Sequence, residues 1–312
     1  MYRIRFHGRG GQGMKTASRI LGSAFFHAGF EVQDAPRYGA ERRGAPIFAY
    51  VRAARHKINE RGIIQRPDLV IVADETLFAI PAAAVFQGIT PQTAILIHGS
   101  EPAERWRRRL NLSGPAFHLP AEKQPRESLA LPFLGTSCAA ASAGLIGEIS
   151  WTDLEQAVNE ELAHLGARVI TQNLEQAQQA YKLMEPHRGN IAFGRAIAVN
   201  DFIRPHWIDP VFENTSRSAP AIHAARTSEL TRTGLWRTMR PIIDRSRCRG
   251  CWWICSTFCP DGAISVDSEG TPKIDYAHCK GCMVCLAQCP NHAIKAVPEK
   301  ETQTKERRGD NP

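Results

Sequence analysis

The chain has 312 residues, enough for about two domains, and 43% of them are hydrophobic, as a globular core requires. No run of 18 apolar residues occurs, and the opening Met-Tyr-Arg-Ile-Arg-Phe-His places charges where a signal peptide needs an apolar stretch, so neither a membrane span nor a leader is expected and the protein is assigned to the cytoplasm. The formal charge of +8 invites a nucleic-acid partner, a reading that the cysteine content below weakens.

Residues 2–7 alternate polar and apolar side chains and predict a strand. The glycine loop Gly8-Arg-Gly10-Gly11-Gln-Gly13 follows. Residues 14–28 then carry Ala17, Ile20, Leu21, Ala24 and Phe25 at helical spacing. Further strands are expected at 30–33, 47–52, 69–73 and 94–98. Strands alternating with helices predict an open α/β sheet. Cys138 lies in a run of small residues, Gly135 to Gly144, and reads as a buried small hydrophobe in a helix. Thr152-Asp-Leu-Glu155 has the spacing of a capping box and predicts a helix whose apolar face is Leu154, Ala157, Val158 and Leu162. Another helix is expected over 173–184. From Pro186 to about Thr231 the periodicity fades. The resulting division is an α/β domain at 1–190, a linker at 191–234, a small α+β domain at 235–298 and a basic, disordered tail at 299–312.

Gly8, Gly10 and Gly13 match G-x-G-x-x-G between a strand and a helix, and Asp34 stands about 20 residues on, where a ribose-binding acid belongs. A dinucleotide site is one reading. Arg9, Gln12 and the doubled Gly10-Gly11 are unusual in a pyrophosphate turn. A nest of backbone amides for another phosphate or a carboxylate is the second reading, and a tight turn without ligand is the third. His7, beside the loop, reads as a satisfied strand-end histidine.

Eight of the nine cysteines fall within 42 residues, in Cys248-Arg-Gly-Cys251-Trp-Trp-Ile-Cys255-Ser-Thr-Phe-Cys259-Pro and Cys279-Lys-Gly-Cys282-Met-Val-Cys285-Leu-Ala-Gln-Cys289-Pro. This is the ligand spacing of a ferredoxin with two [4Fe-4S] clusters, in which the cysteine before proline serves the other cluster. One cluster is therefore assigned to Cys248, Cys251, Cys255 and Cys289, and the other to Cys279, Cys282, Cys285 and Cys259. The runs repeat each other, each reading as strand, cysteine loop, helical turn and strand. The first run has one extra residue between Cys251 and Cys255, and Trp252 and Trp253 are expected to pack there over the cluster. Structural zinc prefers two cysteine pairs farther apart, and closely spaced cysteines suit metals better than disulfides. Eight thiolates around two oxidised cluster cores add about −4, which brings the net charge to about +4. No nucleic-acid or membrane partner is expected.

His7-Gly-Arg-Gly-Gly-Gln-Gly13, Tyr38-Gly-Ala-Glu-Arg-Arg-Gly-Ala-Pro46 and Arg66-Pro-Asp-Leu-Val70 together resemble the gamma subunit of 2-oxoacid:ferredoxin oxidoreductases of the pyruvate type. Asn173-Leu-Glu175 is similar to the start of that subunit's last helix. Thr233-Gly-Leu-Trp-Arg-Thr-Met-Arg-Pro241 resembles the lead-in of the ferredoxin-like delta subunit. The resemblance implies a fused gamma–delta electron-transfer subunit. Thiamine diphosphate and magnesium would be carried by partner alpha and beta subunits, where the 2-oxoacid is decarboxylated, and ferredoxin or a similar carrier would accept the electrons. It also implies coenzyme A near the gamma domain, with Gly8, Gly10, Gly11, Gly13, Arg37, Arg42 and Arg43 as phosphate contacts, unless the arginines serve a subunit interface instead. The rival reading is a dinucleotide-binding iron–sulfur module.

Overall fold

The computed structural model describes residues 1–37, 44–121, 134–194, 232–299 and 302, in two compact units, Met1–Asn200 and Asp201–Pro312. The first unit is a six-stranded sheet in the order β2–β3–β1–β4–β5–β6. Its strands are β1 (Tyr2–Arg9), β2 (Glu31–Arg37), β3 (Pro46–Ala54), β4 (Leu69–Val72), β5 (Ala94–Gly99) and β6 (Ala116–Pro120). β1, β4, β5 and β6 run parallel, and β3 lies antiparallel between β1 and β2. The helices are α1 (Met14–His27), α2 (Ala103–Arg109), α3 (Gly135–Ile146), α4 (Trp151–Glu161) and α5 (Ala167–Met184). This is the open α/β sheet expected from the sequence, and among the described residues no helix is long and apolar enough to cross a membrane.

Each strand uses its alternation to build two cores. Ile4 and Phe6 of β1, Leu69 and Ile71 of β4 and Leu96 of β5 meet Ile20, Leu21 and Phe25 of α1 together with α3, α4 and α5. Val70, Val72, Ile95 and Ile97 face the other way, under Leu77, Ile80, Val85 and Trp106. Cys138 is fully buried in α3, and burial pushes its thiol up to about 12.

The structure corrects two helix starts. The box that caps α4 joins Ser150 and Asp153, not Thr152 and Glu155. The Ser150 hydroxyl accepts from the Asp153 amide (3.2 Å), and the Asp153 carboxylate accepts from the Ser150 amide (3.2 Å). α5 begins at Ala167, six residues before Asn173. Asn173 is instead a buried tie, its Oδ1 accepting from Thr136 Oγ1 of α3 at 2.7 Å.

The polar side of β1 is buried as well. Arg3, Arg5, His7 and Arg9 are each 3% exposed or less. Arg3 is held by Glu60 at 2.5 Å and Arg9 by Asp74 at 3.0 Å. Burial alone would raise Glu60, but hydrogen bonds and charge from Arg3 and Arg52 overturn it and hold the carboxyl below its ordinary value. Arg5 has no carboxylate. Its guanidinium donates to the Ile64 and Val85 carbonyls, and burial lowers it to about 10, so it stays charged at neutral pH. Asp68, from Arg66-Pro-Asp-Leu-Val70, accepts from the Arg3 amide at 2.8 Å, and burial raises it to about 6.

His7 is only half satisfied. Its Nδ1 lies 3.0 Å from the Ala83 carbonyl and so carries the proton, while Nε2 is buried without a partner. Burial, then the charge of Arg5, lowers its pKa to about 3. A folded pKa below the unfolded one means that acid favours unfolding, starting near the ordinary histidine value of 6.5. The expected outcome is that wild type loses about 1.4 kcal/mol per pH unit relative to His7→Asn as pH falls from about 6.5 to about 5. Native-state hydrogen exchange of β1 amides at graded pH measures it, and a pH-independent difference contradicts it.

Candidate functional site

The glycine loop lies where the sheet order reverses, at the carboxyl ends of β1 and β4, the usual ligand crevice of open α/β sheets. Its construction differs from a pyrophosphate turn. Gly8 sits inside β1, and a Cβ there would collide with Met14, so this glycine serves packing. The Gly10 amide donates to the Ala45 carbonyl (2.8 Å), and the Gln12 amide donates to the Arg9 carbonyl (3.0 Å). The Gln12 Oε1 accepts from the Arg9 amide (2.7 Å). The side chains of Arg9 and Gln12 both donate to Asp74 Oδ2, and Arg9 also donates to Gly44 O and Thr76 Oγ1. The residues unusual for a dinucleotide turn are thus the ones that lock the loop to the next strand. Asp34 lies in β2, opposite Val51 of β3.

Gly11 and Gly13 take left-handed backbone, φ 99 and 80, and turn the chain into α1, whose N-cap Gly13 supplies no side-chain hydrogen bond. The first-turn amides of α1 therefore have no side-chain cap, and a helix N-terminus favours an anion. The backbone of Arg37 ends β2 at the same end of the sheet, since Arg37 pairs with Phe48 while Pro46 of β3 pairs with Arg9. Arg42 and Arg43 lie outside the described residues. They precede Gly44, whose amide donates to the Gly10 carbonyl at 3.1 Å.

The second unit is the duplication written in the sequence. The first half is β7 (Met239–Ile243), a cysteine loop, α6 (Ile254–Thr257) and β8 (Ile264–Val266). The second half is β9 (Pro272–Ile274), a cysteine loop, α7 (Val284–Ala287) and β10 (Ile294–Pro298). The halves interlock, with β7 pairing β10 and β8 pairing β9, both antiparallel. The Asp244 amide donates to Ala293 O (2.7 Å), and the Asp275 amide donates to Ala263 O (2.8 Å). The Ala263 amide lies 3.3 Å from Cys259 Sγ, and the Ala293 amide 3.3 Å from Cys289 Sγ. Such N–H···S contacts favour the thiolate form and tune a cluster's potential.

Cys255 and Cys285 each lie within electrostatic reach of cysteines from both runs. Burial raises the Cys255 thiol, and the cysteines whose charge adds to it are Cys248, Cys251 and Cys289. Cys285 is pushed up to about 12, by burial first and then by Cys279, Cys282 and Cys259. Thiols gathered this closely resist ionising unless a positive centre sits among them, which is what a cluster core supplies. Among the described residues no three His, Cys, Asp or Glu side chains converge on one metal position. A cubane does not ask for that, because each thiolate binds its own iron.

Sequence reasoning missed the brace behind the second loop. Glu299, placed at the head of a disordered tail, is buried and clamped by Arg237 (2.6 Å) and Arg240 (2.8 Å). Arg237 also donates to the Tyr276 and Cys279 carbonyls at 2.8 and 2.6 Å. The Thr233 hydroxyl donates to His278 O, and the Gly234 amide to Ala277 O. The lead-in Thr233 to Pro241 thus grips the loop that holds Cys279. The pairing of Arg237 and Arg240 with one acid was hidden because Glu299 lies beyond the last apolar strand position. Most of the expected linker and tail lies outside the described residues.

The family model for pyruvate ferredoxin/flavodoxin oxidoreductase matches residues 3–183, and that for the 4Fe-4S dicluster domain matches residues 240–290. The chain belongs to the pyruvate ferredoxin/flavodoxin oxidoreductase family. It is 34% identical over 184 residues to pyruvate synthase subunit PorC of Methanocaldococcus jannaschii, covering 59% of this chain and 97% of that one. It is 46% identical over 83 residues to pyruvate synthase subunit PorD of the same organism, covering 27% and 95%. It is 32% identical over 187 residues to the pyruvate/ketoisovalerate oxidoreductases common subunit gamma of Pyrococcus furiosus, covering 59% and 98%. Two chains of M. jannaschii are each matched nearly end to end, so gamma-type and delta-type parts are fused here. The chain is an electron-transfer subunit of an oxoacid:ferredoxin oxidoreductase with a [4Fe-4S] domain, and the dinucleotide alternative is not favoured.

Removing Glu299 leaves two buried guanidinium groups without their acid. Glu299→Ala is expected to cost about 3 kcal/mol and to lower the temperature at which the cysteine domain loses its cluster absorbance. An unchanged midpoint contradicts this role.

Proposed function

We propose that this chain takes electrons released by oxidative decarboxylation of a 2-oxoacid on partner alpha and beta subunits, which carry thiamine diphosphate and magnesium, and delivers them to ferredoxin. The observation that carries the reading is the crossed grouping of eight cysteines in one interlocked unit. Cys248, Cys251, Cys255 and Cys289 would hold one [4Fe-4S] cluster, and Cys279, Cys282, Cys285 and Cys259 the other. When bound, the clusters supply one-electron transfer. The chain's own residues fix the thiolates on two rigid loops, donate amides to Cys259 and Cys289, and brace the second loop through Arg237. Pyruvate and branched-chain 2-oxoacids are the substrate classes in the names of the relatives, and a 2-oxoacid of this class is the proposed substrate.

The ligand sets are testable by pairs of substitutions. Cys255→Ala with Cys289→Ala removes ligands of one set and is expected to spare about four irons and one cluster spectrum. Cys255→Ala with Cys259→Ala strikes both sets and is expected to damage both. Equal damage from the two pairs overturns the crossed assignment.

We further propose that coenzyme A phosphates bind at the crevice formed by Gly10, Gly11 and Gly13, with Arg37, Arg42 and Arg43 beside it. Support comes from the uncapped N-terminus of α1 and from the backbone that brings Arg37 and Gly44 to the same sheet end. Gly8 would act through packing. Anaerobic purification with partner subunits, followed by 2-oxoacid-dependent viologen reduction with and without coenzyme A, tests the function. Co-purification and reduction by one 2-oxoacid are expected. A chain that purifies alone and reduces no dye contradicts the reading. Arg42→Ala with Arg43→Ala is expected to raise the KM for coenzyme A, and an unchanged KM ends the phosphate assignment.

A further inference from the structure

The two cysteine loops are copies, so their differences stand out. α6 begins after Trp253 (φ 50, ψ 43) and α7 after Met283 (φ 62, ψ 13), both left-handed N-cap residues. Trp253 is therefore the counterpart of Met283, and Trp252 is the inserted residue. Trp252 also has positive φ, at 51. Two successive non-glycine residues in this region are strained. Trp252 is 89% exposed, whereas Met283 is 7% exposed. The expectation that both tryptophans cover the cluster fails for Trp252. Trp253 is anchored instead, its indole N–H donating to Gly270 O at 2.9 Å. One tryptophan fixes the loop and the other is held out in solvent.

The rest of the first loop differs in the same sense. Phe258 is 54% exposed, where the second loop has Gln288. Arg245, Arg247 and Arg249 are exposed, and no acid occurs from Arg245 to Pro260. Their counterparts are used internally. Tyr276 donates to Pro241 O, His278 meets Asp275, and Lys280 donates to Asp261 at 2.9 Å. Among the described residues no ion pair or side-chain hydrogen bond holds Arg245 or Arg249, and the charge of Arg247 acts on Asp244. This short stretch thus presents an exposed tryptophan in left-handed backbone together with three exposed arginines. Tryptophan and arginine are the residues that dominate binding energy at protein interfaces.

Charge selects the occupant. A cubane with four thiolates carries a charge of about −2, so an iron–sulfur carrier brings a second anion toward the first. A cationic rim offsets that repulsion and steers an acidic carrier to the loop. We propose that the first cysteine loop is the docking face for an acidic, cluster-bearing carrier protein, with Trp252 as the apolar anchor and Arg245, Arg247 and Arg249 as the charge match. Electrons then leave from the side of Cys248, Cys251, Cys255 and Cys289. Each encounter passes one electron. The carrier is reduced, this chain is oxidised, and no bond or proton moves. The inference rests on the electron-transfer reading above and adds the place of exit.

The test uses the complete native complex, a purified acidic bacterial ferredoxin and methyl viologen, a small dye that needs no docking face. Trp252→Ala is expected to raise the ferredoxin KM about tenfold, with viologen reduction and both cluster spectra unchanged. Arg245→Glu with Arg247→Glu is expected to raise it too, and to remove the rise of KM with salt that the proposal expects of wild type. An unchanged ferredoxin KM in both variants overturns the proposal. So does loss of partner subunits from the Trp252→Ala complex, which would make this face a subunit interface. Failure of the functional reading looks different: the unaltered complex then reduces neither ferredoxin nor viologen with any 2-oxoacid, and the docking proposal falls with it.

Discussion

Thiols packed side by side in a protein interior cannot all ionise without a positive centre among them. That constraint organises the cysteine domain. Cys255, Cys285 and Cys289 are buried, and the cysteines whose charge acts on Cys255 and on Cys285 come from both halves of the repeat. The strand pairing follows the same crossing, since β7 joins β10 and β8 joins β9. Neither half has a sheet of its own. The domain is therefore one unit stapled at two points, and its small apolar core of Ile264, Ala293 and Ile294 is built around the cysteines themselves. Arg237 and Arg240, neutralised by Glu299, extend this order to the segment that leads into the domain.

The N-terminal unit meets a related difficulty, the burial of charge, by other means. β1 carries three arginines and a histidine on one face and buries all four. Glu60 and Asp74 neutralise Arg3 and Arg9, backbone carbonyls accept from the two terminal nitrogens of Arg5 while its Nε is buried without a partner, and His7 is kept neutral. A row of buried cations is a poor source of stability, but it fixes position. Arg9 and Gln12, joined to Asp74, set the glycine loop against β4 at the crevice where the sheet order reverses. What the family motif supplies at this point is a rigid loop beside an open helix terminus.

Much of this was legible in the sequence. Apolar alternation marked β1, short strand-forming runs marked β3 to β5, and the spacing of the cysteines, with proline after the last of each run, marked the repeat. What escaped was set by tertiary context. The alternation of β1 suggests a wet face, and only the segment over Val70 and Val72 dries it. Ser150-x-x-Asp153 and Thr152-x-x-Glu155 both have capping spacing, and the apolar face of α4 does not choose between them. The first turn of α5, Ala167 to Ile170, is exposed or half-buried despite its apolar residues, and the first buried residue of the helix is Asn173. The inserted residue of the first loop could be counted in the sequence, but which tryptophan it was, and that it faces solvent, depended on where α6 begins.

The most direct test of the account is quantitative electron paramagnetic resonance of the fully reduced chain, with iron and acid-labile sulfide measured on the same sample. The account predicts about eight irons, about eight sulfides and two interacting [4Fe-4S] spins per chain. A single spin, a three-iron signal from the widened first loop, or zinc in place of iron would contradict it.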